Sequence, residues 1–278
     1  MKTTMSMARA HLCIGLGLFM IAGCDERKLE SRWADREMVI DGTAVEWDGA
    51  ITYFPESRVA VGVQNDEDYL YVSLVTNDVR RQFQILGRGA IVWFDPHGGE
   101  ARPFGIRFPL GASALGMGKG MERRLEEGER PDLDQLIRMY QGTGAQLEIL
   151  VDGEVKTRVP VEDAKGIEVA VNEVQSALVY EIKVPLRMSA GVDYAVGSKA
   201  GEVIGIGLET PEMDSEMIRE QMPAEDEDIA DRGDMGRGRD GPGHGGTPGG
   251  TRGQGVQLPQ TVNVWAKVQL ATPPNPAP

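Results

Sequence analysis

Short stretches of alternating apolar and polar residues, separated by turn-forming residues, fill the middle of this chain. Residues 58–63 and 69–75 form two such runs, with the polar sequence N-D-E-D at 65–68 between them. β-Branched and aromatic residues on both sides of an Asn/Asp turn predict a β-hairpin. Asp152-Gly153 predicts a second hairpin turn. Further strands are predicted at 90–94, 104–108, 146–151, 154–159, 167–171, 177–184 and 203–208.

Helical patterns are confined to two short stretches. Residues 131–140 begin with Pro131 and carry Asp132 and Asp134 in the first turn, which is typical of a helix N-terminus. Residues 212–221 are the second candidate, as an exposed helix. Many short strands with turn signals and few helices favour an all-β fold, built as an antiparallel β-sandwich.

The N-terminus has the features of a secretory signal. Residues 1–9 contain Lys2 and Arg9 but no acid, and residues 12–22 are an apolar run shorter than the about 20 residues that span a bilayer. The sequence I-A-G-C at 21–24 resembles the lipobox of bacterial lipoproteins, which are cut before an acylated cysteine. We expect residues 1–23 to be removed and Cys24 to carry lipid, such as palmitate. An ordinary signal peptide with an incidental cysteine is the alternative.

This lipobox implies an exported protein anchored to the cell envelope. The anchor would sit in the inner or the outer membrane, with the protein facing the periplasm or the exterior.

Cysteine content and charge exclude several classes of function. The two cysteines are Cys13, inside the signal, and Cys24, so the mature chain has no disulfide, no thiol nucleophile and no cysteine metal site. Removal of Lys2 and Arg9 with the signal changes the formal net charge from −14 to −16. Such an acidic chain repels phosphate backbones, which argues against a nucleic-acid partner.

Composition divides the mature chain into five parts. Residues 24–37 are polar and predict a lipidated tether, and residues 38–222 form the predicted sandwich domain. Residues 223–258 are acidic and then Gly-rich, with too few apolar residues to offset chain entropy, which predicts a disordered insertion. Residues 259–272 alternate well and predict the final strand of the same sandwich, because one strand cannot fold alone. Residues 273–278 are a Pro-rich tail.

Four motifs in order resemble those of family 9 carbohydrate-binding modules and their DOMON-like relatives. They are I-D-G-T-A-V-E-W at 40–47, D-E-D-Y-L-Y-V at 66–72, I-V-W-F-D-P at 91–96 and Y-E-I-K-V-P-L at 180–186. The resemblance implies a jelly-roll-like sandwich of two antiparallel sheets that binds a carbohydrate or another small ligand. Each motif also has a structural interpretation as a turn, a core tryptophan or a strand end, and a fold alone does not name a ligand.

Aromatic side chains are the candidate ligand contacts, because sugars pack their apolar ring faces on flat aromatic surfaces. Trp93, Tyr53 and Tyr140 are the candidates, and each has an alternative role in the core or at its rim. Trp47 and Trp265 are interpreted as structural. Family 9 modules clamp a sugar between two tryptophans on loops, and this sequence places no tryptophan in a suitable loop.

Acidic turns make calcium the one candidate ion. Asp66, Asp68 and Asp95 are oxygen ligands in β-turn contexts, although a solvated acidic turn is the favoured interpretation of them. Haem, which DOMON-like domains can bind, needs an axial His or Met. The mature chain has only His97 and His244 as histidines, and we expect no cofactor.

The chain shows none of the common catalytic motifs. G-x-S-x-G, H-E-x-x-H and C-x-x-C are absent from the sequence. We therefore expect a non-catalytic envelope lipoprotein whose sandwich binds a carbohydrate or small ligand. The alternative is a structural or assembly component that docks a partner protein of the envelope.

Overall fold

A computed structural model describes residues 28–47, 49–111, 133–142, 144–211 and 261–274 of the chain. The signal peptide with Cys24, the candidate helix at 212–221 and the predicted insertion at 223–258 lie outside the described residues. These three features stay predictions.

Thirteen strands and two α-helices form the described part of the chain. The strands are β1 (Lys28–Glu30), β2 (Arg32–Trp33), β3 (Ile51–Phe54), β4 (Val59–Asn65), β5 (Tyr69–Thr76), β6 (Ile91–Asp95), β7 (Phe104–Arg107), β8 (Gln146–Val151), β9 (Glu154–Pro160), β10 (Glu168–Val174), β11 (Ala177–Pro185), β12 (Val203–Glu209) and β13 (Asn263–Gln269). The helices are α1 (Val79–Arg88) and α2 (Leu133–Gln141), and short 3-10 turns cover Val45–Trp47 and Val161–Asp163.

The strands build two sheets that pack face to face. Sheet A has the order β1-β13-β12-β6-β7-β8-β9, and sheet B has the order β10-β11-β5-β4-β2, with β3 added beside β4. Alternate residues of both sheets, such as Val72, Phe94 and Ile182, point inward and form one apolar core. The all-β sandwich predicted from the sequence is confirmed, and its central strand pairs are antiparallel.

Ordered structure begins earlier than the sequence predicted. β1 pairs in parallel with β13, so that Lys28 lies beside Lys267, and Leu29 is buried in the core. β2 then crosses to sheet B and pairs in parallel with the end of β4. The prediction that residues 28–33 belong to a tether is wrong, because this polar segment contributes an edge strand to each sheet.

A buried asparagine joins the beginning and the end of the described chain. Asn65 is fully buried, and its Oδ1 accepts hydrogen bonds from Ser31 Oγ at 2.7 Å and from the backbone N–H of Ala271 at 2.8 Å. Its Nδ2 donates to the carbonyl of Ala271 at 3.1 Å. These bonds hold the segment between β1 and β2 against the end of β13.

The two helices pack beside sheet B, and one of them was not predicted. The apolar residues of α2 that enter the core include Leu136, Ile137 and Tyr140, and the predicted helix at 131–140 contains all of this element except Gln141. The sequence prediction missed α1, which begins after the N-cap Asp78, whose carboxylate accepts the N–H of Arg81 at 3.1 Å. Neither described helix is long and apolar enough to cross a membrane.

Candidate functional site

The outer face of sheet B carries a second, smaller apolar cluster. Met38, Trp47 and Tyr71 are its buried members, and the segment that follows β2 supplies the first two of them. The ring of Trp47 lies directly on Gly62 of β4, where a Cβ atom would stand 2.6 Å from its Cε3. Trp47 therefore holds residues 34–47 against the outer face of sheet B. It does not close the end of the main core.

A buried carboxylate holds the same segment from the sheet side. Glu181 on β11 is fully buried, and its Oε1 accepts the indole N–H of Trp47 at 2.7 Å. Its Oε2 accepts the backbone N–H groups of Gly42 at 2.8 Å and Asp41 at 3.1 Å. Burial raises the pKa of Glu181, and the three hydrogen bonds oppose that shift. Two of the motifs noted in the sequence, at 40–47 and 180–186, thus meet at one carboxylate.

An open groove of 560 Å³ lies between this segment and sheet B. One wall is formed by residues 34–40, and the floor is formed by side chains of β5, β10, β11 and the β4–β5 turn. Side chains on the sheet side of the groove, all aromatic or charged, are Asp66, Tyr69, Tyr71, Glu168 and Lys183. We call this the Tyr69 groove.

Two tyrosines of β5 set the floor of the Tyr69 groove. The hydroxyl of Tyr71 donates to Asp66 Oδ2 at 2.7 Å, and burial together with this bond raises the pKa of Tyr71. Tyr69 is half-buried, and Lys183 Nζ lies 4.4 Å from the centre of its ring. Lys183 also forms a 2.7 Å ion pair with Glu168 across the β10–β11 ladder. The groove thus places an aromatic ring beside charged groups that can form hydrogen bonds with hydroxyls.

The sequence did not single out Tyr69, Lys183 or Glu168 as ligand contacts. A signal for the tyrosines was present, since Tyr69 and Tyr71 alternate with Leu70 and Val72, which face the core. Two aromatic residues on the outer face of a strand are expected to pack against another segment of the chain or against a ligand. The Lys183–Glu168 ion pair could not be predicted from alternation, because it forms only where β10 and β11 are neighbours in the sheet.

The three predicted ligand contacts lie on three separate elements. Trp93 is only 3% exposed, on the outer face of sheet A, with its ring on Gly105 and its indole N–H bonded to Glu209 Oε2 at 2.9 Å. Tyr140 on α2 is 5% exposed, and its hydroxyl donates to the carbonyl of Leu86 at 2.6 Å. Burial raises the pKa of Tyr140 to about 12.

Tyr53 differs from the other two predicted contacts. It lies on the edge strand β3 and is 59% exposed, so it is the one predicted aromatic contact whose ring is open to solvent. It does not line the Tyr69 groove.

The predicted calcium ligands serve as turn residues in the described structure. Asp66 Oδ1 accepts the N–H groups of Asp68 at 2.8 Å and Tyr69 at 2.7 Å. Asp95, which ends β6 in the other sheet, accepts N–H groups of the turn that follows it. Asp68 is exposed and lies 3.7 Å from Arg187. Within the described ranges no three acidic or histidine side chains cluster in a way that could hold a metal, and calcium stays a prediction.

The fold was compared with known proteins. The sequence matches no family model and no curated protein. Its structure is similar to a family 9 carbohydrate-binding module from Caldicellulosiruptor kristjanssonii in complex with glucose, at a TM-score of 0.35 and 11% identity, over 68% of this chain and 81% of that one. The same module in complex with cellotriose matches at the same TM-score and identity, over 68% and 79%.

A candidate carbohydrate-binding protein from Bacteroides uniformis is also similar. It matches at a TM-score of 0.34 and 10% identity, over 66% of this chain and 84% of that one. At this level of similarity none of the three assigns a ligand to the present chain.

Proposed function

We propose that this protein is an exported, non-catalytic lipoprotein, anchored through Cys24, whose β-sandwich binds a carbohydrate in the Tyr69 groove. The observation that carries the proposal is the half-buried ring of Tyr69 beside the Lys183–Glu168 ion pair, inside a groove of 560 Å³. Binding sites for small ligands combine apolar surface with a few fixed polar groups in this way. The four motifs that resemble family 9 carbohydrate-binding modules suggest the same class of ligand.

Charge in the groove favours a neutral sugar. Four carboxylates line it, from Asp35, Glu37, Asp66 and Glu168, whereas Arg36 and Lys183 are its two cations. The excess of carboxylates in the groove would repel a ligand that carries its own carboxylates or phosphates. The hydroxyls of a neutral sugar can instead donate to carboxylate oxygens and accept from the amine.

The charged groups on the sheet side of the groove, Asp66, Glu168 and Lys183, are engaged in the fold, which suits binding rather than chemistry. Asp66 accepts three hydrogen bonds, and Glu168 is paired with Lys183. A general acid or base must be available to exchange a proton with the substrate. We therefore assign these groups to ligand recognition.

A panel of oligosaccharides tests this function. The soluble protein beginning at Asp25 is titrated by calorimetry with neutral, amino-substituted and uronic-acid oligosaccharides of equal length. We expect binding of a neutral oligosaccharide and weaker or no binding of its uronic-acid counterpart. Absence of binding to every member of the panel would contradict the proposed function.

The anchor is tested separately. Wild type and Cys24→Ala are expressed with the signal peptide, and their partition into detergent is compared. We expect wild type in the detergent phase and Cys24→Ala in the aqueous phase or as an uncut precursor. Equal partition of the two proteins would show that Cys24 carries no lipid.

A second candidate function, docking of a partner protein, is favoured by the edge strand β3. Its residues Ile51, Thr52 and Tyr53 are all exposed, and in the described structure β3 pairs on one side only, with β4. An exposed strand with apolar side chains can accept a strand from another protein. Co-purification of an envelope protein with wild type, lost in Ile51→Lys, would support this function over sugar binding.

A further inference from the structure

The position of β1 limits how far the folded domain can lie from its anchor. β1 starts at Lys28, so only residues 25, 26 and 27 separate it from Cys24. Four fully extended residue steps span at most about 14 Å. A tether of residues 24–37, as the sequence predicted, would have allowed the domain to lie several times farther away.

β1 is firmly part of the fold, so it does not lengthen the tether. Leu29 is 6% exposed and lies in the main core, and each residue of β1 pairs with a residue of β13. The segment that follows is fixed through Ser31, whose N–H bonds to the carbonyl of Gln269 and whose hydroxyl bonds to Asn65. Pulling β1 away would expose the core and break this set of hydrogen bonds.

We propose that the β1 edge of sheet A faces the membrane and that sheet A stands edge-on to the lipid surface. This inference rests on the proposed anchor at Cys24. β1 and β9 are the two edges of the seven-stranded sheet. With about 4.8 Å between neighbouring strands, β9 lies at most about 29 Å farther from the lipid than β1, because the sheet twists.

The local charges at this edge are compatible with a lipid surface. The chain as a whole is strongly acidic, but the register of β1 and β13 places Lys28 beside Lys267. Lys28 is exposed next to the anchor, where its amine can contact anionic headgroups. The rest of the domain is repelled from the same headgroups, which favours contact through this edge.

The strand direction separates the groove from the anchor. β1 runs from Lys28 toward Ser31 and Asn65, and the Tyr69 groove begins just past Asn65, on the outer face of sheet B. The N-terminal end of β1, at Lys28, is therefore the end that lies away from the groove. The membrane-facing edge and the Tyr69 groove are different surfaces of the sandwich, and the groove stays accessible to a ligand.

Single-cysteine labelling tests this orientation. Cys24 is the only cysteine of the mature chain, so an introduced cysteine is the one free thiol once Cys24 is acylated. Glu30→Cys on β1 and Lys156→Cys on β9 are both at exposed positions. Each lipidated variant is labelled with a fluorophore and reconstituted in vesicles of phosphatidylethanolamine and phosphatidylglycerol that contain nitroxide-headgroup lipid. We expect loss of most of the fluorescence at position 30 and little loss at position 156.

A longer tether provides the matched control. A flexible Gly-Ser linker of about ten residues, inserted between Arg27 and Lys28, adds a mean reach of about 17 Å. We expect it to reduce the quenching at position 30 and to leave the vesicle-bound fraction unchanged. If positions 30 and 156 are quenched equally without the linker, the edge-on orientation is overturned, but the anchor at Cys24 is not. A protein that fails to bind the vesicles at all would overturn the anchor, and with it this inference.

Discussion

The indole N–H of Trp47 donates a 2.7 Å hydrogen bond to Glu181 Oε1, across two segments that are far apart in the sequence. Glu181 also receives the backbone N–H groups of Asp41 and Gly42, so one carboxylate fixes a whole turn on sheet B. Residues 34–40, which precede that turn, form a wall of the Tyr69 groove. The shape of the groove therefore depends on the contact between Trp47 and Glu181.

Removal of the Trp47 side chain should destabilise the protein strongly. Trp47 is 1% exposed, so Trp47→Ala leaves a large cavity and an unpaired Glu181 oxygen, and the expected loss is about 3–5 kcal/mol of unfolding free energy. Trp47→Phe keeps most of the packing and loses the hydrogen bond, for an expected loss of about 1–3 kcal/mol. Urea denaturation measures both. An unchanged midpoint for Trp47→Ala would show that its ring is not part of the folded structure.

The raised pKa of Glu181 predicts a pH dependence of stability. Because the folded carboxyl holds its proton more tightly than the unfolded one, its contribution is complete below the unfolded pKa of about 4.3 and is lost as pH rises through the folded pKa. Relative to Glu181→Gln, which does not titrate, wild type should lose stability over the pH range that starts at the unfolded pKa and runs upward. Denaturation of both proteins across this range checks the sign. A wild-type advantage that grows with pH would mean that the hydrogen bonds outweigh burial.

Glycine at position 105 should be required for the packing of Trp93. A Cβ atom there would lie 2.4 Å from Cε3 of the Trp93 ring, which is held in place by its bond to Glu209. We expect Gly105→Ala to lower stability by about 1–3 kcal/mol. Gly87→Ala in α1 is the matched control, since nothing lies within 4 Å of its Cβ position, and we expect a gain of about 0.5–1 kcal/mol. Thermal unfolding separates the two, and equal effects would refute the close packing.

The segment before β13 and β13 itself should respond differently to deletion. Deletion of residues 231–255 should leave the melting temperature nearly unchanged, because loop length has a small effect on closure entropy. Truncation after Pro259 removes β13, which pairs with both β12 and β1, and should cause unfolding or aggregation. Size-exclusion chromatography and melting curves measure the outcome. A soluble, stable truncated protein would show that β13 is dispensable.

The sequence was sufficient to predict the strands that lie inside the sheets. β4, β5, β6, β8 and β11 are rich in apolar, β-branched and aromatic residues, and most of their side chains are buried. β1 and β2 were missed because they are two or three residues long, largely polar, and pair in parallel with distant strands. No local pattern marks such a strand.

Helix α1 was missed for a different reason. Gln82 is buried on its inner side together with Ile85 and Leu86, which interrupts the apolar periodicity. Gln82 Nε2 donates to the carbonyls of Thr76 and Ser176, so a polar residue occupies a position where the pattern requires an apolar one. The candidate site was hidden for a related reason, because Tyr69, Glu168 and Lys183 come from three strands whose order follows from the topology alone.

The central claim is that the Tyr69 groove binds the sugar. It is tested by measuring how tightly two matched tyrosine variants bind the neutral oligosaccharide that the panel identifies. Tyr69 lines the groove, whereas Tyr53 is exposed on β3 and does not line it. If the groove is the binding site, Tyr69→Ala should weaken binding at least about tenfold, or about 1.4 kcal/mol, while Tyr53→Ala binds like wild type. Calorimetric titration of the three proteins, after matched melting curves show that all are folded, gives the answer. Loss of binding in Tyr53→Ala with wild-type affinity in Tyr69→Ala would contradict the assignment and move the site to the edge strand.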